Sequence, residues 1–287
     1  MPTRHAHLDK QRFGPWALVT GASSGIGRAF AAQLAGNGIN LVLAARRLPV
    51  LDEVGRGLAR QHHIQYRAVR VDLAGPDFLN TLIDATSDLD LGLIVSDAGD
   101  MNLGEFLATS HDALLAELRV NTEAHLSLTH HFGQSLARRG AGGILLVSSV
   151  AGIQGVPYIA NYSASKAYVL SLGEAVHHEL SAHGVHVTVL VPGATATAMT
   201  ARFGAGKTAM SRLMMSADAC ATQGLAALAA NRAVRISGRM NRVTVALTPR
   251  KTRTRMFGAM NKSMAHQITT ASERRTPGVD SDDRTVA

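Results

Sequence analysis

At 287 residues, 46% of them hydrophobic, the chain is long enough for one large α/β domain or two small ones with a substantial core, and no run approaches the ~18 apolar residues of a membrane span. A single cysteine, Cys220, excludes an intrachain disulfide and a thiolate metal site. The net charge of +8 is local: Arg232 to His266 holds nine Lys/Arg and no Asp or Glu, and the remaining residues are nearly neutral.

The amino terminus lacks the apolar core of a signal peptide, the first apolar stretch starting near Trp16, and a cytoplasmic protein is expected. Ala17 to Thr20 is a short apolar strand that runs into Gly21-Ala22-Ser23-Ser24-Gly25-Ile26-Gly27. An Ala-rich helix follows through Leu34 and stops at Gly36 to Gly38. Glycines let backbone approach a pyrophosphate, and the N–H groups and dipole of a helix start hold its charge. A glycine-rich loop alone is more often a simple turn; its position between strand and helix is what predicts a nucleotide site. Asn40 to Ala45 is the second strand, followed at once by Arg46-Arg47. Ala45 stands where an acid would bind ribose hydroxyls, and Arg46 suits a 2′-phosphate, so NADPH is expected over NADH. The bland alternative is an arginine that opens a solvated helix.

Gln65 to Val71 is the third strand, ending at Asp72-Leu73, and Leu91 to Val95 the fourth, ending at Ser96-Asp97-Ala98-Gly99. Leucine periodicity predicts one long helix between Thr109 and Arg139, with Asn121 inside it, where an Asn is unfavourable without a hydrogen-bonding task. Ile144 to Val147 is too short for a helix and reads as a buried strand ending in Ser148-Ser149. Pro157 is expected to open a helix that sets Tyr162 and Lys166 at i and i+4 on one face. An ammonium within ~4–6 Å stabilises phenolate, so Lys166 is expected to pull the Tyr162 pKa down from about 10 and make the phenol an acid/base. Taken alone, such a pair is more often two surface neighbours.

His186 to Val191 is a sixth strand, before Pro192-Gly193, and Arg232 to Ser237 a last one. The alternation of strands and helices predicts an α/β fold, a doubly wound parallel sheet of Rossmann type, in a single domain over 14–237. Residues 194–215, rich in Ala, Thr and Met with glycines at 204 and 206, read as a substrate lid or as an ordinary loop. The adjacent histidine pairs His62/His63, His130/His131 and His177/His178 lack ligand spacing, and no metal is expected. Residues 238–268 form a basic helical segment. Its Met256, Phe257, Met260 and Met264 stripe is expected to pack on the core or a sister subunit, with peripheral membrane contact as the second reading. With Phe257 its only aromatic, the segment offers nucleic acid no stacking platform, so nucleic-acid binding is not expected. Residues 269–287 read as a disordered tail.

Together TGASSGIG at 20–27, Asp72, Ser96-Asp97-Ala98-Gly99, Asn121, Ser149, Tyr162-x-x-x-Lys166 and Pro192-Gly193-x-x-x-Thr197 resemble the classical short-chain dehydrogenase/reductase family, NADP-preferring type, over about residues 14–200. The resemblance implies a homodimer or homotetramer that moves a hydride between nicotinamide and a small-molecule carbonyl or alcohol. It also implies roles. Tyr162 is the acid/base, and Lys166 lowers its pKa and binds the nicotinamide ribose. Ser149 holds the substrate oxygen, and Asn121 positions a relay water. Gly21, Ser23, Ser24, Gly25, Ile26 and Gly27 line the pyrophosphate site, Arg46 the 2′-phosphate, and Asp72 and Leu73 the adenine. Ala98 and Gly99 border the adenosine side; Pro192, Gly193, Thr195 and Thr197 meet the nicotinamide end. The family usually has Asn-Asn-Ala-Gly where this chain has Ser96-Asp97-Ala98-Gly99, and the exchange is expected to remove amide donors that brace the fourth strand. A nucleotide-sensing binding protein without turnover is the alternative reading.

Overall fold

The computed structural model describes residues 6–202 and 214–273, the last seven as backbone only. Its frame is a seven-stranded, wholly parallel sheet of β1 (Trp16–Thr20), β2 (Asn40–Ala45), β3 (Tyr66–Arg70), β4 (Leu91–Ser96), β5 (Gly142–Val147), β6 (Val185–Val191) and, past the two-residue strands β7 (Thr195–Ala196) and β8 (Met215–Ser216), β9 (Val234–Ile236). The order is β3-β2-β1-β4-β5-β6-β9, so the chain reverses its direction of travel between β1 and β4, where a doubly wound sheet opens a ligand crevice.

The helices in chain order are α1 (Lys10–Phe13), α2 (Gly25–Gly36), α3 (Leu48–His62), α4 (Phe78–Asp84), α5 (His111–Leu118), α6 (Ala124–Arg139), α7 (Ala160–Ser181), α8 (Ala198–Arg202), α9 (Ala217–Ala229), α10 (Arg239–Leu247) and α11 (Arg250–Glu273). The central strands are buried on both faces, which is why they read as unbroken apolar runs instead of alternating ones. Phe30 and Leu34 of α2, Leu51 of α3 and Leu225 of α9 cover one face; Leu82 of α4, Leu128 and Phe132 of α6 and Val169 of α7 cover the other.

Four expectations are corrected by the structure. The single helix over 109–139 is two helices joined by a π turn at Arg119–Glu123, and Asn121 lies in that turn, fully buried. A π turn inserts one residue into the helical register, and such insertions recur at functional sites. Pro157 does not open α7, which starts three residues later at Ala160. The preceding carbonyls are taken elsewhere: Asn261 donates to Pro157 O and the Gly104 N–H donates to Tyr158 O, with Tyr158 held at φ 66°. The basic segment is α10 and α11, and α11 does not pack by its full methionine stripe. It docks through Arg253, Phe257, Gly258 and Asn261, leaving Met256 and Met260 exposed, because a side chain at Gly258 would sit 2.9 Å from Pro157 Cγ and only glycine admits that approach. Helix α11 also runs to Glu273, into the expected tail; residues 274–287 lie outside the described residues, as does 203–213, the middle of the expected lid. The ends of that lid segment are tied together by the parallel pairs Thr195↔Met215 and Ala196↔Ser216. No helix among the described residues is long and apolar enough to cross a membrane.

Candidate active site

The loop after β1 turns at Gly21 (φ 70°) and reaches Gly25 (φ 59°), the first residue of α2, both in the left-handed region that glycine adopts without strain. A Cβ on Gly27 would sit 2.6 Å from Gly21 O, so the loop closes as tightly as backbone allows. The Thr20 hydroxyl, from the strand below, accepts the N–H groups of Asp97 and Ala98 at 3.1 and 3.2 Å and joins the ends of β1 and β4. The exposed Arg46 and Arg47 close the far end of the crevice, Arg47 donating to Ser23 Oγ at 3.3 Å. Asp72 turns its carboxylate to the Ala74 N–H, and Leu73 is buried beside it. Bare glycine backbone, a helix start and two guanidinium groups fit a dinucleotide phosphate chain, and no acid stands at the end of β2.

At the other end, β5 delivers Ser148 and Ser149. Ser148 donates to Lys166 O at 2.6 Å, fastening α7 to the strand end, and Ser149 Oγ accepts the Ala151 N–H and faces the Tyr162 phenol, which hydrogen-bonds to it. Lys166, one helical turn from Tyr162, is buried, donates to Val147 O at 3.0 Å and lies 5.8 Å from the Tyr162 ring centroid. Gly99 leaves the room Lys166 needs: a Cβ there would be 3.2 Å from Nζ, so Gly99 borders the catalytic end. The Asn121 side chain is engaged on every side, donating to Asp100 O and Ser165 Oγ and accepting from the Asp100 N–H. Thr195 Oγ1 donates to Gly193 O, and the Thr197 methyl lies 3.3 Å from where a Cβ on Gly25 would be, carrying the chain after β6 across the glycine loop. Every predicted cofactor or catalytic residue lines this one crevice except Gly27 and Asn121, which support it from beneath.

The electrostatics differ from expectation. Burial pushes the Tyr162 phenol up to about 12, with the Ser149 hydrogen bond pulling the other way and the Glu117 and Asp97 carboxylates adding to the rise. Lys166 does not reverse this, because burial also pushes its ammonium down to about 8, against the pull of Asp97 and Glu117. At neutral pH the phenol holds its proton firmly. Ser96 and Asp97 do not leave β4 unbraced either: Ser96 Oγ pairs with His125 Nδ1 at 2.8 Å, and the Asp97 carboxyl accepts the Gly27 N–H beneath the glycine loop. Burial raises Asp97 to about 7, opposed by Lys166 and by that hydrogen bond, and drives His125 well below its ordinary value, so its ring is neutral.

Two supporting residues, His125 and Glu117, were not singled out by the sequence. Glu117, in the last turn of α5, is buried and accepts from the Asn102 N–H and Asn102 Nδ2 at 2.9 and 2.7 Å, fixing the loop that follows Gly99. A buried acid at the end of an otherwise apolar helix face is the one hint it offered. Cys220 is buried with its thiol pushed up to about 11, which makes it inert.

A glycine cradle at the switch point of a parallel sheet, with Ser149, Tyr162 and Lys166 converging beside it, defines a dinucleotide-binding protein of Rossmann type. Residues 15–208 match the family described as short chain dehydrogenase, and the chain belongs to that family, whose members act on CH–OH and C=O groups. Over 188 residues it is 32% identical to 7β-hydroxysteroid dehydrogenase of Mediterraneibacter gnavus, covering 66% of this chain and 72% of that one. It is also 32% identical over 199 residues to inactive hydroxysteroid dehydrogenase-like protein 1 of Homo sapiens, covering 68% and 60%. The solved short-chain dehydrogenase of Sphingobium yanoikuyae in complex with NADPH superposes with a TM-score of 0.72 at 26% identity, over 94% of this chain and 100% of that one.

Proposed function

We propose that this chain is an NADPH-dependent carbonyl reductase, or an alcohol dehydrogenase in reverse, with Tyr162 as its acid. The observation that carries the proposal is the convergence of Ser149, Tyr162 and the buried Lys166, whose Nζ lies 5.8 Å from the Tyr162 ring centroid, at the crevice end opposite the arginines. A bound nicotinamide supplies or accepts the hydride. The chain's own residues do the rest. A substrate carbonyl oxygen placed between the Ser149 hydroxyl and the Tyr162 hydroxyl receives two hydrogen bonds, which polarise the C=O bond. As charge develops on that oxygen, Tyr162 transfers its proton, and the buried Lys166 ammonium, fixed by Val147 O, stabilises the phenolate left behind. A phenol raised by burial keeps its proton until an alkoxide demands it, and the phenolate left behind takes a proton back in the reverse reaction.

Arg46 and Arg47 beside Ala45 support NADPH over NADH, since charge-assisted hydrogen bonds to a 2′-phosphate have no counterpart with a bare ribose hydroxyl. Ser149, Tyr162 and Lys166 are all present, which separates this reading from a binding protein without turnover. The resemblance supports a homodimer or homotetramer. Tyr162→Phe keeps the ring and removes the proton, and turnover is expected to fall by roughly 10²–10⁴-fold while NADPH binding persists. Loss of less than about tenfold, followed by nicotinamide absorbance across a carbonyl panel, would assign the acid to another residue.

A further inference from the structure

Helix α10 is nine residues long and none of them is buried. Met240, Val243 and Leu247, at i, i+3 and i+7, form one face and are 75%, 51% and 77% exposed. A helix this short is marginal in water by itself and draws its stability from packing its apolar face. Here that face points away from the fold, while the opposite one is firmly attached: Asn241 donates to Ser237 O, sits against Gly193, and Arg253 of α11 donates to Val245 O. The apolar face is thus presented on a fixed base beside the nicotinamide end of the crevice.

The charge around it selects the occupant. Arg239 borders the apolar face, Arg242 lies on the side of the helix away from it, Arg250 and Lys251 follow directly, all four are exposed, and 232–266 contains no acid. None of these cations forms an ion pair among the described residues. A second copy docked by a two-fold axis would set the same acid-free cations against each other. Nucleic acid would set its phosphates against Met240, Val243 and Leu247, with no exposed aromatic ring in the segment for a base to stack on. An anionic leaflet matches both features, taking apolar side chains to the depth of the acyl boundary and holding arginines at the headgroups.

We propose that α10 is a peripheral docking helix for an anionic phospholipid surface, a role independent of the reaction assigned to the crevice. The full chain is sedimented with phosphatidylglycerol/phosphatidylcholine vesicles and with phosphatidylcholine vesicles alone, each at low and high salt. It is expected to pellet with the anionic vesicles at low salt and to stay in the supernatant in the other three arms, because salt screens charges at the headgroups. Arg239→Gln should weaken anionic binding by about fivefold. The triple variant Met240→Ser, Val243→Ser, Leu247→Ser should abolish pelleting while turnover and the thermal midpoint stay at wild-type values, since these side chains touch neither the crevice nor the core. Supernatant protein with anionic vesicles at low salt overturns the proposal, as does undiminished binding by the serine variant. If the serine variant instead changes the oligomeric mass in sedimentation equilibrium, the face belongs to a second copy and the proposal fails.

Discussion

Asp97→Asn tests the electrostatics beneath the phosphate loop with almost no change of shape. Burial raises the Asp97 carboxyl from 3.8 to about 7, so between these values the folded protein holds a proton that the unfolded chain has released. Stability contributed by this group is therefore fully present at acid pH and is lost as pH rises toward 7. At about 1.4 kcal/mol per tenfold, the loss above pH 7 approaches about 4 kcal/mol as a ceiling, because Asp97 keeps part of its surface toward the crevice. An asparagine has no proton to lose. It does remove the carboxylate that supports the Lys166 ammonium, so part of the gain is returned at neutral pH. That support exists only where Asp97 is ionised, and the value of about 7 already contains the attraction to Lys166, so the change with pH is the clean quantity. The stability advantage of Asp97→Asn should widen by about 2 kcal/mol between about pH 5.5 and pH 7 and level off above. Urea unfolding of both proteins across that range measures it through the midpoint at constant slope. Parallel profiles would show that Asp97 is already ionised in the folded protein at pH 5.5, and the account of its burial would be wrong.

Arg46→Asp removes a cation from the 2′-phosphate position and offers ribose a carboxylate; the NADPH-to-NADH affinity ratio should fall by one to two powers of ten, and a wild type that already prefers NADH would refute the assignment. Gly152→Ala places a methyl 2.6 Å from the Lys166 carbonyl carbon, where backbone has to move; a stability loss of about 1–3 kcal/mol with a lowered kcat is expected, and wild-type values for both would show that the contact relaxes freely.

The parts of this protein that were legible in its sequence are those whose physics is local. An apolar run of strand length, a glycine loop before a helix and the four-residue step from Tyr162 to Lys166 each act through backbone geometry within a few residues, so the parallel sheet, the glycine turn at its switch point and the helix that carries Tyr162 and Lys166 could be read directly. The same holds for the unease about Asn121: an Asn inside a helical pattern needed a task, and its task is to hold Asp100 and Ser165. What it could not reveal was the form of the answer, a π turn, because that depends on what α7 brings opposite. Ser96 looked like a lost donor until His125 was placed beside it from α6, and Asp97 like a defect until the Gly27 N–H met it from α2. The pKa of Tyr162 moved the opposite way from the pairwise expectation. Lys166 is its neighbour in sequence, but desolvation is imposed by groups from several elements together, and here it is the largest influence, with the Glu117 and Asp97 carboxylates adding to it. The stripe on α11 was divided for a like reason: periodicity marks a helix as amphipathic, but Pro157, about a hundred residues earlier, decides that Gly258 faces inward and Met256 outward. Local spacing determines which element forms and which residues share a face. Burial, proton affinity and the choice of face belong to atoms that only the folded chain brings together.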